Sequence, residues 1–485
     1  MGHPIPGSAL ITITTRFPGP TNLYPMTRNQ LIIIILAAVV SGLILAAFSP
    51  LPMAGLIFFF LVILPLSLFS PLAGLLVFLL VLITDHTIQI ATIDFWLAEF
   101  ISIPILFFWI IRMILKKQPI PKTTVTWPLI LFLLVTLANV AYSTDVTEGL
   151  GIFRKELSAI LIFFFIINLN LSIRKIYWIT NTLVFACIIS CLVGILQNLT
   201  GEFGFSGEIT QRGYLSLIFS RQLSWVRNAN GFFHHFNSFG SLASQIFPIS
   251  FSLALYAPRD KKRLHLVALI IIAIGLLLSY SRGAFLAAVV ASFFVWYPNM
   301  KSRVRDKLFF FVLFGNMVYI ASVIFWKTEY LSITNRLAPR MRIWGIVLEN
   351  IRQHFWAGTG LASMMDVITA SIRSGPIIAS HNNYLTLLLE RGILGLSIFL
   401  WIVILFFRQV SSIGKMSKLA GLKLVRALNI GIMGSMIVFL VHSAFDHLYG
   451  GFTFKVLFFL YIALIVSLRR SCEKQSLPYQ KPTSG

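Results

Sequence analysis

Apolar residues along the chain come in long unbroken runs, separated by short polar connections. The runs fall at about 31–48, 54–69, 71–84, 97–115, 125–142, 155–170, 175–196, 238–257, 264–281, 283–298, 307–327, 383–407, 425–445 and 452–469. A helix needs ~20 apolar residues to cross ~30 Å of hydrocarbon, and most of these runs approach that length. They do not alternate with period two, so a closed barrel is excluded. Several runs are short, and 54–84 reads equally as two spans or as one broken element. The pattern therefore predicts an all-α polytopic membrane protein, a bundle of about 12–14 transmembrane helices.

The polar connections predict orientation. Four of them are strongly basic: Arg259 to Arg263, Lys301 to Lys307, Arg408 to Arg426, and the tail after Arg469. An even number of spans separates each from the next, so all four can lie on the cytoplasmic side, where Lys and Arg collect. The Lys116-Lys117 loop and the N-terminal segment with Arg16 and Arg28 fall on that side too. The expected organisation is a cytoplasmic segment 1–29, N-terminal spans over 30–200, a second membrane unit over 201–470, and a cytoplasmic tail at 471–485. Residues 1–29 have no apolar core of a cleavable signal, so 31–48 reads as an uncleaved first span.

Composition agrees: 57% of residues are hydrophobic and 11% charged, against roughly a quarter charged in soluble proteins. The net charge of +23 belongs to the basic loops, and no aromatic-basic motif points to nucleic acid. Cys187, Cys191 and Cys472 have no CxxC spacing and no partnering histidines, and read as packing residues.

This topology leaves two long segments outside, 197–237 and 328–380. Together they carry Arg212, Arg221, Arg227, Arg336, Arg340, Arg342, Arg352 and Arg373 and no lysine. A guanidinium presents a planar fork that matches phosphate oxygens, so an arginine-only outer face points to an anionic partner, with headgroup anchoring as the plainer alternative. In the second segment Met341, Trp344, Val347, Leu348, Ile351 and Phe355 recur at three- and four-residue spacing behind Pro339. That stripe predicts an amphipathic helix starting near Pro339 and lying along the outer membrane-water boundary.

Three constellations could carry chemistry. Ser279-Tyr280-Ser281-Arg282 sits between two spans with almost no loop, so Arg282 falls at a helix N-terminus, where a guanidinium and the helix dipole make an anion site; a snorkelling anchor is the bland reading. His381-Asn382 is followed, nine residues on, by Gly392 and Gly395, a pair that lets another helix come close. His381 is as readily structural as catalytic on its own, but a neutral imidazole, reference pKa ~6.5, can take a proton from a hydroxyl. Arg227 leads into Asn228-Ala229-Asn230-Gly231 and the pair His234-His235 at the mouth of the span from 238. Adjacent histidines point apart and no carboxylate is suitably spaced, so no metal is expected.

With these residues assembled, SYSRGAFLA, Arg340…Trp344, Gly358-Thr359-Gly360 and HNNYLTLLLERGILGL resemble, in order and spacing, the O-antigen ligase/polymerase superfamily of bacterial envelope glycosyltransferases. The resemblance covers roughly 220–450; the N-terminal spans match in hydropathy alone. It implies a GT-C-like bundle in the bacterial cytoplasmic membrane with an extracytoplasmic active site. It further implies a polyprenyl (undecaprenyl) diphosphate-linked glycan donor, a glycan or lipid acceptor, and no metal or other cofactor. Carried over by motif, Arg282 and His381 stand where the family has catalytic residues. Arg227 (with Arg221 as rival), Arg340 (with Arg342 as rival), Asn382 and the late Asp446 stand where it binds diphosphate or substrate. Glu390-Arg391, just before Gly392, departs from the pattern and needs partners inside a span. The alternative class is a transporter or flippase of lipid-linked sugars, which would require charges buried mid-span and recognisable halves.

Overall fold

The computed structural model describes residues 70–85, 87–90, 93–200, 228–299, 333–371 and 380–476. The expected spans at 31–48, 54–69 and 307–327, the N-terminal segment and the last residues of the tail lie outside these. The other eleven expected spans all fall on helices: α1 Pro71–Leu82, α2 Leu97–Leu115, α3 Thr126–Val140, α4 Val146–Asn168, α5 Ile173–Thr200, α6 Phe236–Tyr256, α7 Arg259–Leu278, α8 Arg282–Trp296, α11 Asn383–Leu419, α12 Lys423–His442 and α13 Phe452–Ser476. Two more helices, α9 Ile333–Gln353 and α10 Ser363–Ser371, lie between α8 and α11. Six of the helices are long and apolar enough to cross a membrane. The chain is therefore an all-α polytopic membrane protein, with one local departure: Thr87–Ile90 and Ile93–Trp96 pair antiparallel as a small hairpin, β1 and β2, ahead of α2. Its β-branched and aromatic residues suit strands, in a pattern too short for hydropathy to detect. α13 also continues through Arg469 to Ser476, so the expected tail begins as helix.

Packing follows from side-chain size. α13 is apolar on every face from Phe452 to Val466 apart from Thr453 and Lys455, and its spanning window is 94% buried. A helix apolar all round belongs at the centre of a bundle. α6 instead carries small buried residues, Gly240, Ser241, Ala243 and Ser244 among them. It lies close against α12, where a Cβ on Gly434 would come 2.5 Å from Pro248 Cβ. Small-on-small contact of this kind draws helices together where lipid offers no hydrophobic drive. Cys191 of α5 fits against Gly275 of α7, and all three cysteines are free and buried.

The basic connections within the described residues gather at one end of the bundle. Arg470 donates to the Lys122 carbonyl at 2.9 Å, Arg426 lies over the Tyr256 ring and Lys261 over Tyr177. The hairpin, the α3–α4 turn and the starts of α6, α8 and α11 share the other end, tied by Ala229 N to Leu278 O (2.9 Å) and Leu361 N to Asn139 O (3.3 Å).

The stripe on α9 is shared between the protein and the exposed surface. The helix begins at Ile333, six residues before Pro339, and its buried face is Ile343, Val347 and Ile351, packed on Met364 and Ile368 of α10 and Leu389 of α11. Met341 and Leu348 are exposed. One part of the stripe thus covers the end of the bundle, and another, with Met341, Leu348 and Phe355, is exposed. Sequence spacing could not decide this, because either surface satisfies the same stripe.

Candidate functional site

α11 is two helices joined at a break. Gly392 has φ 61° and ψ −171°, well outside helical values. The broken turn leaves carbonyls and an amide without helical partners, and the segment after α9 fills them. Thr359 N donates to Leu389 O at 2.8 Å, Gly360 N to Glu390 O at 3.2 Å, and Ile393 N to Phe355 O at 2.8 Å. The glycines are there for room: a Cβ on Gly358 would sit 2.5 Å from the Glu390 carbonyl carbon, and one on Gly392 would strike the Trp356 carbonyl. Gly395 accommodates the Arg391 side chain of its own helix. The glycine pair therefore serves a loop and a buried arginine, not the approach of a second helix as its spacing had implied.

The short helix above this break carries His381 at its entrance. Asn382 caps it, its Oδ1 accepting from Tyr384 N (3.0 Å) and Leu385 N (3.1 Å), while its Nδ2 donates to Ala444 O (3.3 Å). Asn383 binds the same turn: its N donates to Ser443 O (2.8 Å), its Nδ2 to Ser443 Oγ (2.8 Å), and its Oδ1 accepts from Tyr449 N (3.1 Å). Asn382 Nδ2 and the Asn383 side chain thus hold the α11 entrance on the turn between α12 and α13, while Asn382 Oδ1 caps the helix.

Those contacts bring His381 Nδ1 to 3.0 Å from Asp446 Oδ1, with side-chain exposures of 23% and 16%. His447 N also donates to that oxygen, at 2.8 Å. Burial works to raise the Asp446 pKa, but the His381 hydrogen bond, the charges of His442 and His381 and the His447 amide outweigh it and hold the group at about 2. With an ionised acceptor on Nδ1, the imidazole holds its proton there, and Nε2 keeps the lone pair. His381 sits at φ 47°, a left-handed backbone that a non-glycine residue keeps only where its surroundings enforce it. His447 turns its Nδ1 to Thr386 Oγ1 (3.1 Å), and burial lowers its pKa to about 4. His235 caps α6; burial lowers its pKa also, and the charges of Asp446 and His381 act on it in opposite senses.

Arginines approach the same turn from two sides. Arg340 Nη1 donates to Phe445 O at 3.3 Å, and one helical turn later Trp344 Nε1 donates to Ser380 O at 2.7 Å. α9 is thus pinned on both sides of the His381–Asp446 pair. Arg282 is the exposed first residue of α8, behind Tyr280 at φ 53°. The glycine beside it makes the contact: a Cβ on Gly283 would lie 2.9 Å from His442 Cδ2 and 3.3 Å from Phe445 Cβ. His442 is held in turn by Ser241 Oγ, 3.0 Å from its Nδ1. Arg342 is exposed two residues beyond Arg340, a position that cannot share its helix face. Arg221 and Arg227 lie outside the described residues; the backbone directly after Arg227 pairs with the end of α7 through Ala229. Among the described residues no three His, Cys, Asp or Glu side chains converge as a metal set.

Sequence reasoning passed over His442, His447, Asn383 and Tyr449, all within or bound to this turn. Their signal was the spacing His442-x-x-x-Asp446-His447 at the end of the penultimate span. It crowds three titratable side chains onto one helix end.

Residues 266–400 match the family model described as O-antigen ligase. The matched segment contains Arg282, Arg340, Arg342, His381, Asn382 and the Gly392/Gly395 pair, and it bears out the resemblance to the O-antigen ligase/polymerase superfamily. Asp446 and Arg227 fall beyond it. No curated protein matches the chain.

Proposed function

We propose that the protein transfers a glycan from a polyprenyl diphosphate carrier, undecaprenyl in a bacterial membrane, to an acceptor hydroxyl, as an O-antigen ligase or polysaccharide polymerase. The single observation that carries this reading is the His381–Asp446 pair, held at 3.0 Å at a turn that Arg340 and the Arg282 hairpin both meet. The family match, which supports an O-antigen ligase/polymerase-type role in polysaccharide assembly, spans His381 and both arginines.

The chemistry follows from that arrangement. His381 Nε2 takes the proton of the acceptor hydroxyl as its oxygen bonds to the anomeric carbon of the donor. The bond from that carbon to the diphosphate oxygen breaks, and the electron pair leaves with the lipid diphosphate. Asp446 holds the ring orientation and stabilises the imidazolium that forms, so it positions the base rather than binding the anion. Arg282 and Arg340, with Arg227 as a third, neutralise charge growing on the leaving diphosphate, a task fixed guanidinium groups perform without a metal. The N-terminus of α8 adds its partial positive charge. Direct displacement inverts the anomeric centre; linkage analysis finding a retained anomer sinks that step.

The basic end of the bundle faces the cytoplasm by the positive-inside trend, which assigns the site to the outer face and both termini to the cytoplasm. The test is turnover of a polyprenyl-diphosphate-linked oligosaccharide by the reconstituted protein, alone and with added acceptors, beside His381→Ala and Arg282→Ala. Ladders of repeats from donor alone identify a polymerase, and product only with a second acceptor identifies a ligase. Turnover unaffected by both substitutions rejects the site.

A further inference from the structure

Deep in the bundle lies a polar cluster that the transfer chemistry does not touch. Glu156 of α4 is fully buried, at 0% exposure. Its Oε2 lies 3.0 Å from Lys455 Nζ on α13 and 3.3 Å from Arg391 Nη2 on α11. Its Oε1 accepts a hydrogen bond from the Tyr449 hydroxyl. Lys455 also rests over the Tyr449 ring at 4.3 Å, and Arg391 over Phe132 at 5.3 Å. Ion pairs of this kind rarely add stability over a well-packed apolar core, because desolvation offsets the attraction. Their presence in a membrane bundle calls for a specific use.

The use is visible in what the cluster holds. Arg391 is the foot of the short helix whose entrance carries His381, nine helical residues of Asn383–Arg391 spanning ~13 Å. Tyr449 lies three residues after Asp446 in the turn between α12 and α13, and its backbone N also donates to Asn383 Oδ1 at 3.1 Å. One carboxylate therefore grips both elements of the pair: the His381 helix through Arg391, and the Asp446 turn through Tyr449. Lys455 brings a second positive charge to the same Oε2, which ties the carboxylate to the central helix α13.

We infer that Glu156, acting through Tyr449 and Arg391, is a positioning residue that sets the register of His381 against Asp446. The N-terminal spans, which lie outside the matched family segment, thereby take part in catalysis. The inference rests on the transferase reading above. It requires nothing of Glu156 toward substrate, since the residue is sealed from the site by Tyr449 and the α11 helix.

Tyr449→Phe is the sharpest variant, because it removes one hydroxyl and leaves Glu156 paired with both cations. In the reconstituted full-length protein with lipid-linked donor, kcat is expected to fall about 10-fold with the donor KM unchanged, as for a misplaced base. In an Asp446→Asn background the same substitution is expected to change kcat less than 2-fold, because the register it maintains is already lost. A 10-fold loss that persists in that background overturns the inference, since it would report general loosening. So does wild-type kcat in Tyr449→Phe while His381→Ala and Asp446→Asn are both impaired, an outcome that leaves the transferase reading standing. Full activity of His381→Ala and Asp446→Asn, or no turnover by wild type, overturns that reading and the inference with it. As a second arm, Glu156→Asp should restore more kcat than Glu156→Gln at equal folded yield, and equal rates in the two speak against positioning by charge.

Discussion

Two groups of charged residues sit about a helix's height apart in this bundle, and they are built on opposite rules. At the α12–α13 turn, His381 and Asp446 keep partial access to solvent, Arg282 is exposed, and Arg340 donates to a backbone carbonyl of the turn. In the interior, Glu156, Arg391, Lys455 and Tyr449 are all buried and answer one another. In the proposed reaction the outer group faces an anion that is not part of the protein. The inner group spends its capacity on itself, as charges in a low-dielectric interior must. A transporter reading needs charges mid-span that a substrate could engage; the pairing of the interior set weakens it.

The comparison can be broken most strongly at His381. Replacing it with alanine is expected to lower kcat by ~10³-fold, the range of a lost general base, while thermal stability measured in detergent stays within error. A large loss of stability would mean that the two regions are not separate devices. Glu156→Leu is expected to do the reverse first: it leaves two buried cations unpaired and should cost about 3–5 kcal/mol in denaturant unfolding. A stable Glu156→Leu protein would show that Arg391 and Lys455 find other partners.

Gly392→Ala probes the joint between the regions. The left-handed backbone alone costs an alanine about 1–3 kcal/mol, and the added methyl group meets the Trp356 carbonyl. Protease cleavage within the α9–α10 segment should therefore accelerate, and unchanged protection would sink the picture of a loop seated in the break.

The smallest effect is one of pH. The folded pKa of His447 is depressed to about 4 from an ordinary 6.5, by burial first. Its contribution to stability is thus fully present above ~6.5 and is lost as pH falls toward 4. Asp446, depressed to about 2 from 3.8, loses its contribution only below that window. Unfolding followed from pH 7 to pH 4 should show a modest decline that His447→Gln flattens, with no contribution from Asp446. A decline identical in the variant would assign it to other groups.

The span pattern was legible in the sequence because crossing hydrocarbon demands long apolar runs, and nothing in tertiary packing relaxes that demand. The basic connections were legible for a related reason: charge bias survives as a count along the chain, whatever the helices do. The motif positions of Arg282 and His381 could also be read, because each stands at the edge of a span where the polar and apolar patterns meet, and that of Arg340 from the stripe of the outer segment. What each residue touches was not legible. The sequence carried no sign that Asn382 caps α11 or that Ile343, Val347 and Ile351 of the α9 stripe pack on α10 and α11; Gly392 and Gly395 read as a helix seam and make room for a loop and an arginine. In each case local spacing specifies a face or a space but not its occupant. Glu156 carried no signal at all, since a lone acidic residue near a span end looks like any other until α4, α11 and α13 bring Arg391 and Lys455 to it. Sequence determined which segments enter the membrane and where the candidate chemistry sits along them. Tertiary structure alone decided which charges neutralise each other, because the contacts of residue 156 with 391 and 455, and of 381 with 446, arise from folding and not from spacing.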